Sequence, residues 1–441
     1  MAESFIPDEL TFQTQMQPEN CIQSKVECSY LSPTAAFTAA GNNIITMNLV
    51  SGDGFVQMDS IELWMNIAGN LVTQGGATTV NSGVANTQVV VNSTMSLFSD
   101  ITLSTVSGVV LESIQHGVTF GQLLTNLSYN PNYTDTVGTV GNMNSQPFNR
   151  ECYAANNPLT GSPQPYRLEI CKVLGFFSDT HKYLRLKDFG GGLVLSLTMA
   201  PTAATSCVRN AGTDSYALTM TNARLTWLQA TVTDSYMEYY TEQFLQNGFR
   251  LMFNSVSAQA ITVATLANQT IPLSVNYKRV KAIVCTLRDN ALQSVVYPAT
   301  AFLSSGLQSY AFQINGQVLP PQQITSYFRA CNEAERIIYA RPEILRQNGW
   351  TMAEFCTDVV VPNQAQNLGQ WQNGKLMMSY DFEKYSSSQE SGIALTPGAT
   401  NLLLNFVPNG ASANSNNYNV YAFYFHQRAV TVVGGEVTVT F

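Results

Sequence analysis

At 441 residues the chain is longer than one hydrophobic core usually grows, and two domains of about 200 residues each are expected. Asp, Glu, Lys and Arg make up only 11% of it, against about 25% in an ordinary soluble protein, while hydrophobic content is 45%. Asn, Gln, Ser, Thr, Tyr and Gly take the place of the missing charge, so the surface is poorly defended against association. The net charge of −8 and a pI near 5.0 argue against a body that coats nucleic acid through its phosphates.

Residues 1–40 contain Pro7, Pro18 and Pro33 and little periodicity, which predicts an irregular N-terminal arm. Met1–Leu10 lacks a basic region followed by an apolar one, so secretion is not expected, and no run of 18 apolar residues offers a membrane-spanning helix. Regular structure is predicted from Ile44–Val50, through a turn at Ser51–Gly54, to Phe55–Ile67, where Ile61, Leu63, Met65 and Ile67 alternate with polar neighbours. After a Gly/Thr/Asn loop at 69–86, strands are predicted at Gln88–Met95 and Ile101–Val106. Ser107-Gly108 then turns the chain into Val110-Leu111, and Phe120, Leu123, Leu124 and Leu127 mark a helical face. Residues 129–165, rich in Asn, Pro, Gly and Thr, form the longest irregular stretch. Strands follow at Tyr166–Leu174, Leu193–Met199 and Ala217–Val232.

A helical join at Tyr236–Leu245, stopped by Gly248, divides the chain. Beyond it, strands are predicted at Phe249–Val256, Ile261–Leu266, Ile271–Tyr277 and Val280–Leu287. Tyr310–Ile314 is alternating, Asn315-Gly316 supplies a type I′ turn, and Val318-Leu319 starts a return strand that Pro320-Pro321 should end. Apolar positions 324, 327, 328, 331, 334 and 338 then share a helical face. A charged helix at Pro342–Gln347 and strands at Phe355–Val361, Leu376–Phe382, Leu402–Phe406, Val420–Phe425 and Ala429–Phe441, the last folded at Gly434-Gly435, complete the chain.

The second half repeats the first. Gly108 and Val110-Leu111 lie 208 positions before Gly316 and Val318-Leu319 in the same strand–turn–strand–helix unit. Gly191–Met199 resembles Gly374–Phe382, and Tyr216-Ala217-Leu218 resembles Tyr421-Ala422-Phe423, in collinear order. The expected fold is all-β: two tandem eight-stranded antiparallel jelly-roll sandwiches with short helices in loops. Its divisions are an arm at 1–40, a first jelly roll at 41–235, a linker at 236–248 and a second jelly roll at 249–441.

Val280–Asp289 followed by Tyr310–Ile324, with Gly191–Pro201, Leu402–Phe406, Tyr421–Phe425 and Gly434–Phe441, resembles the double jelly-roll major capsid proteins of icosahedral double-stranded DNA viruses. The likeness covers the chain from about residue 44 and is nearest to polinton-like virus, adintovirus and virophage capsid proteins. It implies a virion protein whose homotrimers form pseudo-hexagonal capsomers, meeting neighbouring capsomers and minor capsid and penton proteins. The chain's length argues against tall outward towers, and the lack of a basic arm argues against direct nucleic-acid binding.

Residues that could carry chemistry have bland readings too. His116, His181 and His426 lack ligand spacing; Glu238/Glu242 and Asp381/Glu383 are paired carboxylates of the kind glycosidases use, without a cleft signature. Arg185 and Lys187 in His181–Lys187 read as a solvated strand face. Trp64, Trp227, Trp350 and Trp371 could stack on sugars but read first as core or interface anchors. The eight cysteines, Cys21, Cys28, Cys152, Cys171, Cys207, Cys285, Cys331 and Cys356, hold no C-x-x-C pair, and the sequons at Asn92, Asn126, Asn132 and Asn268 are expected to be unused. No catalytic, cofactor-binding or metal residue is assigned and no cofactor is expected. A carbohydrate- or receptor-binding β-sandwich, such as a spike or adhesin, is the alternative.

Overall fold

The computed structural model describes residues 21–38, 41–50, 52–72, 78–79, 87–89, 94–128, 164–178, 182–200, 208–210, 215–263, 268–274, 276–289, 307–339, 376–383, 392–395, 401–408 and 418–440. Eight principal strands build a first barrel: β1 (Ile22–Leu31), β2 (Ile44–Leu49), β3 (Glu62–Val72), β4 (Phe98–Thr105), β5 (Val110–Ile114), β6 (Gln164–Glu169), β7 (Leu193–Met199) and β8 (Ser215–Val232). Eight more build a second: β9 (Phe249–Val263), β10 (Gln269–Leu273), β11 (Tyr277–Asp289), β12 (Leu307–Ile314), β13 (Gln317–Ile324), β14 (Met378–Asp381), β15 (Leu402–Pro408) and β16 (Tyr418–Val433).

The sheet orders are β1-β8-β3-β6 facing β2-β7-β4-β5, and β9-β16-β11-β14 facing β10-β15-β12-β13, all antiparallel. Adding eight to each strand of the first barrel gives the second, and each barrel is a pair of Greek keys, a jelly roll. Short strands at Ala36–Thr38, Phe55–Gln57, Ile393–Leu395 and Glu436–Thr440 extend the first-named sheets. Helix α1 (Gly117–Ser128) follows β5, α2 (Asp234–Tyr240) joins the barrels, and α3 (Tyr327–Tyr339) follows β13.

Alternation makes these sandwiches. Along β2, Ile45, Met47 and Leu49 are buried while Ile44, Thr46 and Asn48 are exposed; β7 buries Leu193, Leu195, Leu197 and Met199 in the same way. The buried side chains of both barrels join in one contiguous apolar cluster. At the turns before β5 and β13, Gly108 (φ 92°) and Gly316 (φ 87°) take the left-handed conformation that the repeat requires.

Several expectations need correction. Residues 22–31 are not irregular arm: they form β1, which pairs with β8 from Ile22 opposite Val232 to Leu31 opposite Arg224 and supplies the first barrel's eighth strand. Val26 and Leu31 stay 56% and 53% exposed, so this edge strand shows little apolar alternation. Lys25 over the Tyr183 ring (5.1 Å) and the Cys28 thiol on Gln229 hold it instead. Pro320-Pro321 does not end β13, which is displaced by an irregularity and pairs again where Ile324 meets Tyr310. The break expected near 257–260 is absent, because β9 pairs with β16 without interruption. Gly191–Met199 and Gly374–Phe382 are not equivalent: the first leads into β7, whereas the second holds β14, the counterpart of β6. The other two echoes fall on matching strands. Residues 1–20, 129–163, Pro342–Gln347 and Phe355–Val361 lie outside the described residues.

The barrels meet along a seam. Its apolar part is aromatic: Phe176 stands edge-on to Phe253 (5.3 Å), Phe189 to Phe249 (5.9 Å) and His116 to Tyr421 (5.3 Å), with Phe120 against Phe423 at 5.7 Å. Its polar part is the fully buried Glu112 carboxylate on β5, which accepts the Gly175 and Phe176 N–H groups at 3.2 and 3.0 Å. Arg428 on β16 lies close enough to favour the charged carboxylate, and it donates to the Leu111 carbonyl at 3.0 Å. At Gly175 a Cβ would collide with the Asn254 carbonyl of β9, so only glycine lets the two backbones approach.

Two outcomes test this description. Deleting residues 1–31 leaves the β8 edge unpaired and is expected to lower Tm by about 5 °C or more in a thermal melt, whereas deleting 1–20 spares β1; equal melts would remove β1 from the fold. Glu112→Gln turns an acceptor into a donor facing an N–H, and Gly175→Ala overpacks the seam. Each is expected to cost about 1–3 kcal/mol in chemical denaturation, and unchanged midpoints would count against the seam.

Candidate functional site

Among the described residues, those that chemistry would need lie apart. Glu238 and Glu242 are both exposed, one on α2 and the other on the π-turn that extends it, Thr241–Leu245. The Thr233 side chain caps α2 by accepting the Tyr236 N–H, and the Tyr240 hydroxyl donates to Asp188 at 2.9 Å. This helix is a strut, fixed to the first barrel by Asp188 and by the edge of Tyr240 on Phe55.

Asp381 and Glu383 lie at the end of β14. The Glu383 side chain is 2% exposed and ion-paired to Lys281 at 3.2 Å, and the residue's N–H donates to Asp381 Oδ1 at 2.8 Å. Burial pushes the Asp381 carboxyl up to about 6, helped by the negative charges of Glu383 and Glu333 and opposed by the Glu383 N–H. One carboxylate is committed to a lysine and the other is bound to the backbone beside it.

His426 is fully buried, stacked on Tyr277 at 3.8 Å, and shares a 2.9 Å hydrogen bond between Nε2 and the Ser257 hydroxyl. A serine beside a histidine is the beginning of a nucleophilic site, but Nδ1 meets no carboxylate, and burial with the nearby Arg428 charge drives the imidazole down to about 3. An imidazole whose basicity is lowered in this way is poorly matched to the serine proton. His116 sits in the seam, its pKa lowered by burial. Among the described residues no group of three or more His, Cys, Asp or Glu could hold a metal ion.

Two cations of the basic cluster are paired within the chain. Arg185 pairs with Asp53 at 2.6 Å and with Asp188 at 3.2 Å, and Lys187 reaches Asp53 at 3.1 Å. The Arg185 hydrogen bond, then that of Lys187, holds the Asp53 carboxyl below its usual range. The segment is a two-residue strand and a tight turn, not the alternating strand expected. Trp227 is buried, and Trp64 donates to Glu62 at 3.0 Å beside the Arg167 guanidinium. His181, Trp350 and Trp371 lie outside the described residues. Glu112, Arg428 and Gly175 were not singled out by spacing, because Glu112 and Arg428 are far apart along the chain.

The two barrels define the class of fold: a double jelly roll. No protein-family model matches the chain, and no curated protein is similar to it in sequence. Solved structures are similar along nearly its whole length. The Sputnik virophage structure contains a chain with a TM-score of 0.61 at 10% identity, covering 100% of this chain and 93% of that one. The mavirus major capsid protein gives 0.55 at 8% identity, covering 100% and 95%. The Faustovirus major capsid protein gives 0.55 at 11%, covering 93% and 90%. This chain thus has the double jelly-roll fold of viral major capsid proteins.

The raised Asp381 pKa sets a pH dependence. The folded value of about 6 exceeds the usual 3.8, so the fold favours the protonated acid, and the relative stability present below about pH 4 is lost as pH rises through 6. Asp381→Asn keeps the acceptor and removes the charge. Its Tm is expected to match the wild type near pH 4 and exceed it by pH 7. A difference that is flat or negative with rising pH would contradict the account of Asp381.

Proposed function

We propose that the chain is a major capsid protein, which trimerises into pseudo-hexagonal capsomers and tiles an icosahedral shell. The observation that carries this reading is the tandem of two jelly rolls with one strand order, matched over nearly the full length of viral capsid proteins. Three copies of a two-barrel subunit about a closed threefold axis present six similar walls, and such a unit packs hexagonally from one gene product. The low charge supports the same reading, since uncharged polar side chains are far less costly to desolvate than unpaired ions.

In this reading the chain works in the virion by self-association, without catalysis or a cofactor, and minor capsid and penton proteins occupy positions the trimer cannot fill. Direct genome contact is not part of it, because Arg185 and Lys187, the core of the longest basic cluster, are already engaged by Asp53. The first barrel runs from β1, earlier than residue 41, to about 235, with the linker at 236–248 and the second barrel at 249–441.

Light scattering on the eluting protein tests the proposal. A species of three times the 48.2 kDa chain, or a larger shell in negative-stain micrographs, is the expected result. A monodisperse monomer that binds glycans would replace it with the receptor-binding alternative.

A further inference from the structure

The charges are distributed unevenly between the two sheets of each barrel. Strands β10, β15, β12 and β13 carry no Asp, Glu, Lys or Arg at all. Their counterparts β2, β7, β4 and β5 carry only Asp100 and Glu112, and Glu112 is buried in the seam. The opposite sheet of the first barrel holds Lys25, Glu27, Glu62, Arg167, Glu169 and Arg224. A feature repeated on corresponding sheets points to a repeated use.

The outward face of the first charge-poor sheet is ordered. Thr46, Ser196, Thr102 and Ser113 lie in register across its four strands, a rung of hydroxyls in which Thr102 and Ser113 are 3.1 Å apart. At one end Val50 and Val106 are 51% and 56% exposed and flank Gly192, where an added Cβ would touch both side chains. Bare valines beside neutral hydroxyls form a surface that loses little on leaving water.

We propose that this sheet face is the lateral contact with a second copy of the chain in a neighbouring capsomer; the inference rests on the capsid reading above. Copies that each carry −8 repel, and a face whose described strands turn only one ionisable side chain outward, Asp100 opposite Thr198 near one end, is where they can touch with the fewest like charges opposed. A partner of another kind is ordinarily selected by a pattern of complementary charge, and one carboxylate, Asp100, makes no pattern. Four strands about 4.8 Å apart and some six residues long cover roughly 400 Å². That is about half the area each partner contributes to a stable interface, so one contact is weak and only many together hold.

Val106→Glu, Ser196→Lys and the neutral control Val106→Thr test it, with small oligomers read by light scattering and shells by sedimentation and negative-stain counting. Both charged variants are expected to keep the wild-type oligomer and lose shell yield at least about tenfold, while Val106→Thr assembles as wild type. Shells from both charged variants at wild-type yield would overturn the inference and leave the capsid reading standing. So would equal loss in Val106→Thr, since charge would then not be the cause. A wild-type chain that stays monomeric would overturn the capsid reading and this contact with it.

Discussion

The seam between the barrels is the constraint on which the rest of the molecule depends. Taking a carboxylate and a guanidinium out of water costs several kcal/mol per ion, and their attraction seldom returns more than that. Glu112 and Arg428 therefore do not glue the barrels together; burial raises the pKa of the first and lowers that of the second. Adhesion comes from the aromatic contacts of Phe176, Phe189, Phe120 and His116, at about 0.5–1.5 kcal/mol each beyond the area they cover. The polar groups set orientation. A slipped seam would strand a buried charge, at a cost of about 3–5 kcal/mol, so one angle between barrels is favoured over its neighbours. In the trimeric capsomer proposed above, where each subunit gives two of six walls, that angle has to be held.

Duplication explains why such a seam can be built at all. Both barrels trace the same path, β1 lying along β8 as β9 lies along β16, yet the short strand on the other side of that pair differs. In the first barrel it is Phe55–Gln57; in the second it is a hairpin through Gly434-Gly435 to Glu436–Thr440. Helices α1 and α3 follow corresponding strands but bury unlike faces. α1 turns Phe120 and Leu123 inward, whereas α3 buries Ala330, Cys331, Ala334 and Ile337 and leaves Phe328 66% exposed. Small residues let α3 lie close, and β14 packs against it.

How much of this was legible in the chain follows from how each signal arises. Strands with one wet and one dry face, such as β2 and β7, announce themselves by alternation, and the Asn315-Gly316 turn by its positive φ angles. β1 does not, because its inward side is covered only in part: Cys28 and Tyr30 pack against the core while Val26 and Leu31 stay exposed. Pro320-Pro321 misled because proline is excluded from regular ladder positions but admitted at an irregularity. The likeness of Gly191–Met199 to Gly374–Phe382 reflected a shared environment, glycine followed by a buried run, and not a shared place in the fold. Phe328 lay on the apolar side of the helical pattern, yet periodicity reports only that a side chain is apolar, not that the fold covers it. The seam was invisible for a different reason: a carboxylate in β5 and a guanidinium in β16 are joined by tertiary approach, and no spacing rule reaches that far.

A shell assembled from such subunits has to satisfy two opposed demands, and the placement of charge bears on both. Contacts strong enough to hold a pair of capsomers alone would trap misplaced ones, since each error would leave only at the rate of a tight complex. Contacts made of hydroxyls and a few valines over a few hundred Å² release readily one at a time and hold only in company, because each added neighbour acts at high effective concentration. Within the subunit the opposite holds. Charges there are paired, as Lys281 with Glu383 and Arg185 with Asp53 and Asp188, or set in the seam, where a single arrangement is wanted. In the proposed shell, specificity belongs to the interior of the subunit and reversibility to its outer walls, and a chain with few ionisable side chains can meet both demands by where it puts them.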